Sequence, residues 1–163
     1  MTRGKLAIVT PDGMYITNEY NGDMYMNQAE YGPEAPISPG DIARKKIDEP
    51  TDLESFKQMV REFTKYYYGP EYAKCELTEE ELEEESRVRE LPKQAFNIET
   101  NEIDFDEYFK YWFSDFIYIK NASEKPVEVI TREKAPVVKT AVIIEPGQSE
   151  VFYFGRVWTK EDE

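Results

Sequence analysis

Hydrophobic positions change period three times along the chain, and each change marks a different kind of element. Residues 5–10 (KLAIVT) form a short aliphatic, β-branched run of strand length. Pro11-Asp12-Gly13 supplies a turn, since proline presets φ and glycine tolerates its positive range. Residues 14–20 (MYITNEY) alternate and predict a second strand. Asn21-Gly22 is a type I′ hairpin signal, so Met24-Tyr25-Met26 reads as the returning strand. The opening is thus expected to be a three-stranded meander.

The period is helical from Thr51 to Tyr68. Leu53, Phe56, Val60, Phe63 and Tyr67 recur at three- and four-residue intervals and make one apolar stripe, read as core. Thr51 and Glu54 have capping-box spacing, and Gly69-Pro70 ends the helix. A second helix is expected over Leu77–Glu90, with Thr78 and Glu81 repeating the box and Leu77 and Leu82 placed as a staple. Glu83–Arg87 and Glu85–Arg89 have the favourable i,i+4 order. Only Leu82 and Val88 are apolar within it, so it should lie on the surface. Phe96–Thr100 reads as a short extended piece. Asp104 then caps a third helix, whose Phe105, Tyr108, Phe109, Trp112 and Phe116 share one face.

Alternation returns after Phe116. Phe116–Lys120, Val127–Thr131, Val137–Ile144 and Val151–Val157 read as four strands, joined by turns short enough to imply antiparallel neighbours. The expected fold class is α+β: antiparallel sheets from the N-terminal meander and the four C-terminal strands, with three helices, one acidic and exposed. A single domain over residues 1–163 divides into a hairpin and loop (1–50), a helical middle (51–115) and a β region (116–157). The loop from Asn27 to Pro50 holds Pro33, Pro36, Pro39 and Pro50, which excludes a central strand. Asp41–Lys46 has room for a helical turn. The loop is either an ordered crossover or a binding loop using Tyr25, Tyr31 and the trio Arg44, Lys45 and Lys46.

Composition narrows the chemistry. The chain has no histidine and one cysteine, Cys75. Ser-His-Asp and Cys-His catalysis, imidazole-ligated metals and internal disulfides are therefore excluded within the chain. No P-loop or dinucleotide fingerprint is present. Asp104-Phe105-Asp106-Glu107 begins like a calcium loop but lacks its glycine and its bidentate glutamate. No apolar run approaches the ~20 residues of a membrane span, and no apolar stretch follows the basic start, so the protein is expected in the cytoplasm. No cofactor, metal or catalytic residue is expected. The net charge of −14 argues against direct binding to nucleic acid or anionic membranes, and it attracts basic surfaces.

That charge is localised. Between Glu76 and Asp115 stand fourteen acidic residues against four basic ones, a balance of −10. A helix rises ~1.5 Å per residue, so Glu79–Glu90 would span roughly 17 Å with about one carboxylate per ~2.4 Å, comparable to the ~1.7 Å charge spacing of duplex DNA. Such a face either only solubilises or is recognised by a lysine- and arginine-lined partner. In size, acidity, aromatic-rich α+β pattern and lack of catalytic motif, the chain resembles phage- or plasmid-encoded inhibitors of host defence, the anti-restriction DNA mimics and anti-CRISPR proteins. Its Thr2-Arg3-Gly4 opening, with Asp12-Gly13 turning into Tyr15, resembles small phage proteins of unknown function. The resemblance implies a non-enzymatic binder in the host cytoplasm. Glu79, Glu80, Glu83, Glu84, Asp104, Asp106 and Glu107 would face a basic, nucleic-acid-binding surface of a partner protein. Two alternatives stand beside it: an assembly module pairing through C-terminal edge strands, and a divalent-metal carboxylate enzyme, for instance with Glu128 and Lys134 or Lys139.

Overall fold

A computed structural model describes residues 2–70, 72–73, 75–112, 114–132 and 141–159. The architecture is mixed α+β, with two sheets whose pairings are mostly antiparallel. At its centre, β1 (Gly4–Thr10) lies parallel to β6 (Phe116–Asn121), with Gly4 opposite Phe116 and Val9 opposite Asn121. Both strands read as near-continuous apolar runs because both of their faces are covered. Leu6, Ile8, Phe116 and Tyr118 enter one buried cluster, while Ala7, Val9, Ile117 and Ile119 enter another on the opposite face.

The larger sheet is completed by β2 (Gly13–Thr17) and β3 (Val88–Glu90) on one side, and by β9 (Ser149–Tyr153) and β10 (Arg156–Val157) on the other. The first face is covered by α2 (Pro39–Lys46) and α3 (Leu53–Tyr68), whose Phe56, Met59, Val60, Phe63 and Tyr67 are buried. The second face is covered by a four-stranded sheet of β4 (Phe96–Asn97), β5 (Glu102–Asp104), β7 (Val127–Ile130) and β8 (Ala141–Ile144), together with α5 (Phe105–Tyr111). Two further helices are short: α1 (Asn27–Tyr31) and α4 (Glu79–Glu85).

Several expectations are corrected. The meander stops at two strands. Met24 and Met26 are buried plugs beneath the helices, with the Met24 carbonyl accepting from Tyr118 Oη at 2.5 Å, so no third strand forms. The Asn21-Gly22 region is held by Tyr67, whose hydroxyl donates to the Gly22 carbonyl and accepts from its amide. The edge beside β2 is filled by β3, which comes from the segment read as helix through Glu90. Helix α3 is capped by Asp52 with Ser55, one position later than expected. The segment Val151–Val157 is a hairpin, because Phe154 and Gly155 both take positive φ and turn the chain between β9 and β10. Neither β6–β7 nor β8–β9 are neighbours: the chain changes sheet at each of those connections. Parallel pairs, β1 with β6 and β5 with β7, were not anticipated. Of the expected strand Val137–Ile144, residues 137–140 lie outside the described residues.

Asn121 governs the first change of sheet. It is fully buried; its side-chain amide donates to the carbonyls of Lys125 (2.9 Å) and Ile144 (2.8 Å), and its Oδ1 accepts from the Ser123 amide (2.9 Å) and hydroxyl (2.6 Å). Truncation removes the buried donor to the Ile144 carbonyl and the acceptor of the Ser123 amide, while the Lys125 carbonyl keeps its bonds from Asn101 and Ser123. Asn121→Ala is expected to cost about 2–4 kcal/mol in urea unfolding, while Ser123→Ala, which removes only a hydroxyl from the same knot, costs about 1 kcal/mol.

Candidate functional site

The seven acids expected to form one surface are divided between layers. Glu79, Glu80, Glu83 and Glu84 stand on α4, which packs against α3 on the helical side. Asp104, Asp106 and Glu107 stand at the start of α5, on the opposite face of the larger sheet. The capping box of α4 forms as expected: Thr78 Oγ1 accepts from the Glu81 amide at 3.2 Å, and Glu81 Oε1 accepts from the Thr78 amide at 2.9 Å. Leu82 is its one buried residue. With so little to bury, the helix ends at Glu85, and the pairs Glu83–Arg87 and Glu85–Arg89 do not form. Instead Glu84 pairs with Arg87 at 2.9 Å, Glu79 with Arg61 at 2.6 Å, and Tyr68 Oη donates to Glu85 at 3.2 Å.

On α5, Asp104 Oδ1 accepts from the amides of Asp106 and Glu107, and Glu107 pairs with Lys110 at 2.6 Å. Much of the carboxylate density is thus spent within the chain on caps and ion pairs. Glu80 and Glu83 make no ion pair among the described residues, and they border a groove that Lys57, Arg61 and Arg87 also line. Among the described residues no group of three or more Cys, Asp or Glu is arranged to hold a metal ion. Lys134 and Lys139 lie outside those residues. No helix among them is long and apolar enough to cross a membrane.

A different constellation brings distant segments together. The proline-rich stretch after Met26 folds around Asp41 and Ser38. Asp41 accepts from the Gln28 amide at 3.0 Å and the Ser38 amide at 2.9 Å, and Ser38 Oγ donates to the Tyr25 carbonyl at 2.5 Å. Gly40 permits this closeness, since a Cβ there would stand 2.1 Å from the Tyr25 carbonyl oxygen. These bonds fix α1 over the end of β6. The result is a cleft of about 330 Å³ lined by Tyr25, Tyr31, Phe116, Tyr153 and Trp158, with Glu30 set in its wall. Phe116 and Tyr153 are directly opposed across β6 and β9, with ring centroids 4.7 Å apart. Tyr31 is 67% exposed. Glu30 Oε2 is shielded from solvent and accepts no hydrogen bond among the described residues.

The loop's two tyrosines therefore do reach a cleft, but its basic trio does not. Arg44 pairs with Asp48 at 3.3 Å and donates to Ser149, and Lys46 pairs with Glu49 at 3.6 Å. Glu30, Tyr153 and Trp158 were not singled out from the sequence, and Phe116, expected on the aromatic face of the third helix, instead starts β6 and enters the opposite cluster from Phe105 and Tyr108, because α5 ends at Tyr111. Phe116 and Tyr153 carried a signal as same-face positions of two strands, but nothing local ties them to Glu30. No family model matches the chain, and no curated protein or solved structure is significantly similar to it.

The attachment of α4 has a pH dependence. The Glu79 carboxyl is held below its ordinary value of 4.5 by the hydrogen bond from Arg61, and that of Glu81 by the Thr78 amide. A carboxyl depressed in the folded state supports the fold fully above its ordinary value and loses that support as pH falls through the lowered one. Acidification from about pH 6 to about pH 3 is therefore expected to raise amide exchange over residues 79–85 while β1 and β6 stay protected, as read by hydrogen-exchange mass spectrometry.

Proposed function

We propose that this protein is a non-enzymatic acidic binder of a cationic protein surface, of the kind presented by nucleic-acid-processing proteins. The aromatic cleft beside Glu30 receives a lysine or arginine side chain of that partner. The observation that carries this reading is the Glu30 oxygen, shielded and without a donor in a cleft walled by five aromatic rings. A carboxylate oxygen kept from water without a hydrogen bond costs free energy, and an arriving ammonium or guanidinium supplies the missing donor. Aromatic faces attract the same ligand, most strongly where water is displaced. The cavity suits one long side chain, and the net charge of −14 draws a basic surface toward it.

The glutamates of α4 contribute to that field. Glu80 and Glu83, which lack ion pairs, are the members of the expected acidic surface best placed to meet a partner. Inhibition of a host nucleic-acid-binding protein by occupying its basic channel is the biological form this binding would take. Assembly through sheet edges has less to work with in the larger sheet, where β10 has two residues and β3 has three.

An arginine-rich peptide, titrated calorimetrically, tests the proposal. Affinity should fall at least tenfold between about 50 and about 300 mM salt. Glu30→Gln and Trp158→Ala should each weaken binding by about tenfold, equivalent to about 1.4 kcal/mol, and Trp158→Ala should leave the salt slope unaltered. Charge reversal of Glu80 and Glu83 to lysine should reduce the slope instead. Affinity unchanged by both cleft variants would reject the cleft as the anchor.

A further inference from the structure

We propose that a second cleft, on the opposite face of the larger sheet, binds a small organic carboxylate through Lys5, Arg89 and Tyr108. Strand register brings these groups together. Ala7 lies opposite Ile16, and Ile16 opposite Arg89, so Lys5, two residues before Ala7, shares a face with Arg89. Helix α5 crosses that face, and Tyr108 with Trp112 beyond its end forms the facing wall. The space between them is about 240 Å³, room for roughly eight waters at ~30 Å³ each.

Two shielded donors in this cleft, on Lys5 and Tyr108, lack an acceptor among the described residues. The Lys5 ammonium is half-buried, makes no ion pair or hydrogen bond among the described residues, and stands 5.7 Å from the centroid of the Tyr108 ring. Arg89, released from its expected helix partner by the early end of α4, is exposed and forms no ion pair among the described residues. Tyr108 is 2% exposed, yet its hydroxyl has no hydrogen bond of good geometry. The nearby Ser114 hydroxyl donates to Glu19 at 2.9 Å, and Glu19 pairs with Arg3 at 3.6 Å. The half-buried Lys5 ammonium and the buried Tyr108 hydroxyl thus offer two donors to an arriving anion, with the exposed Arg89 at the rim of the cleft. Burial lowers the pKa of Lys5, with Arg89 adding to the shift and Glu19 opposing it, as expected for an ammonium deprived of a contacting anion.

The surroundings choose among anions. Ile16, Leu91 and Trp112 offer an apolar wall for a ring or short hydrocarbon body. Glu19 and Glu90 border the same space and repel a second negative charge, which favours a monoanionic carboxylate over a phosphate dianion. Such a group could arrive as a free small acid or as the terminal carboxylate of a polypeptide.

Titration of the labelled protein with benzoate, and separately with an N-acetylated dipeptide carrying a free C-terminus, distinguishes these sources by nuclear magnetic resonance. Benzamide and the amidated dipeptide serve as neutral controls. Saturable shifts of the Trp112 indole and Ile16 amide with either acid, and none with the amides, support the site; the tighter acid names the source. Lys5→Met should weaken binding at least about tenfold, and the isosteric Tyr108→Phe by about threefold with other resonances unmoved. The proposal is overturned if neither acid saturates by about 50 mM, if the amides shift the same resonances equally, or if both variants bind as the parent does.

Discussion

Parallel pairing of β1 with β6 is the constraint on which the rest of the molecule depends. It joins residues 4–9 to residues 116–121, and all the intervening chain must be accommodated on the two faces it creates. Each strand presents side chains alternately to those faces, so a single register decides both cores at once. A shift by one residue would exchange Leu6 and Ile8 with Ala7 and Val9, placing large groups where small ones are needed and the reverse. Closing so long a loop costs entropy before any contact repays it. The repayment comes from burial on both sides, with each large aliphatic side chain contributing about 1.5–3 kcal/mol.

The segments between the two strands then divide by what they can cover. Helix α3, with a broad apolar stripe, takes one face. Helix α5, with Phe105 and Tyr108, shares the other with the smaller sheet. Helix α4 has one buried leucine and is held by its cap, by Arg61 and by Tyr68 more than by packing. Acidic residues close in sequence are thereby carried to different layers. Their joint effect on a distant partner is a diffuse field, while the contact itself is decided by whichever groups remain unpaired.

Local signals were legible in the sequence. Both the Thr78–Glu81 box and the Asp104 cap are bonds between residues three or fewer apart, and they form as read. The stripe from Phe56 to Tyr67 is buried for the same reason. Pairing between distant segments was not legible. Val88-Arg89-Glu90 is too polar to read as a strand, but an edge strand needs only its backbone to bond β2, and its side chains are free to be charged. Met24 and Met26 alternate like a strand because both point inward, although they do so from an irregular segment. The aromatic cleft draws on α1, β6, β9 and the chain after β10, so no window of sequence contains it. The proline-rich loop gave the one usable hint, since a stretch that long with two tyrosines is ordered only by specific bonds such as those of Asp41.

The two clefts lie on opposite faces of one sheet and ask for ligands of opposite sign, which the net charge alone would not permit. Distance resolves this. At physiological ionic strength the field of exposed charges is screened beyond about 8 Å. For a cation approaching Glu30, the overall field and the local carboxylate act in the same direction, so both encounter and contact are favoured. For a carboxylate approaching Lys5, the overall field slows encounter, but at contact the ammonium, Arg89 and the Tyr108 hydroxyl lie nearer than the bulk of the acids. Affinity there follows local geometry, and the global charge is expressed mainly in the rate of association. Added salt should therefore weaken the first interaction and accelerate the second, because the same screening removes an attraction in one case and a repulsion in the other.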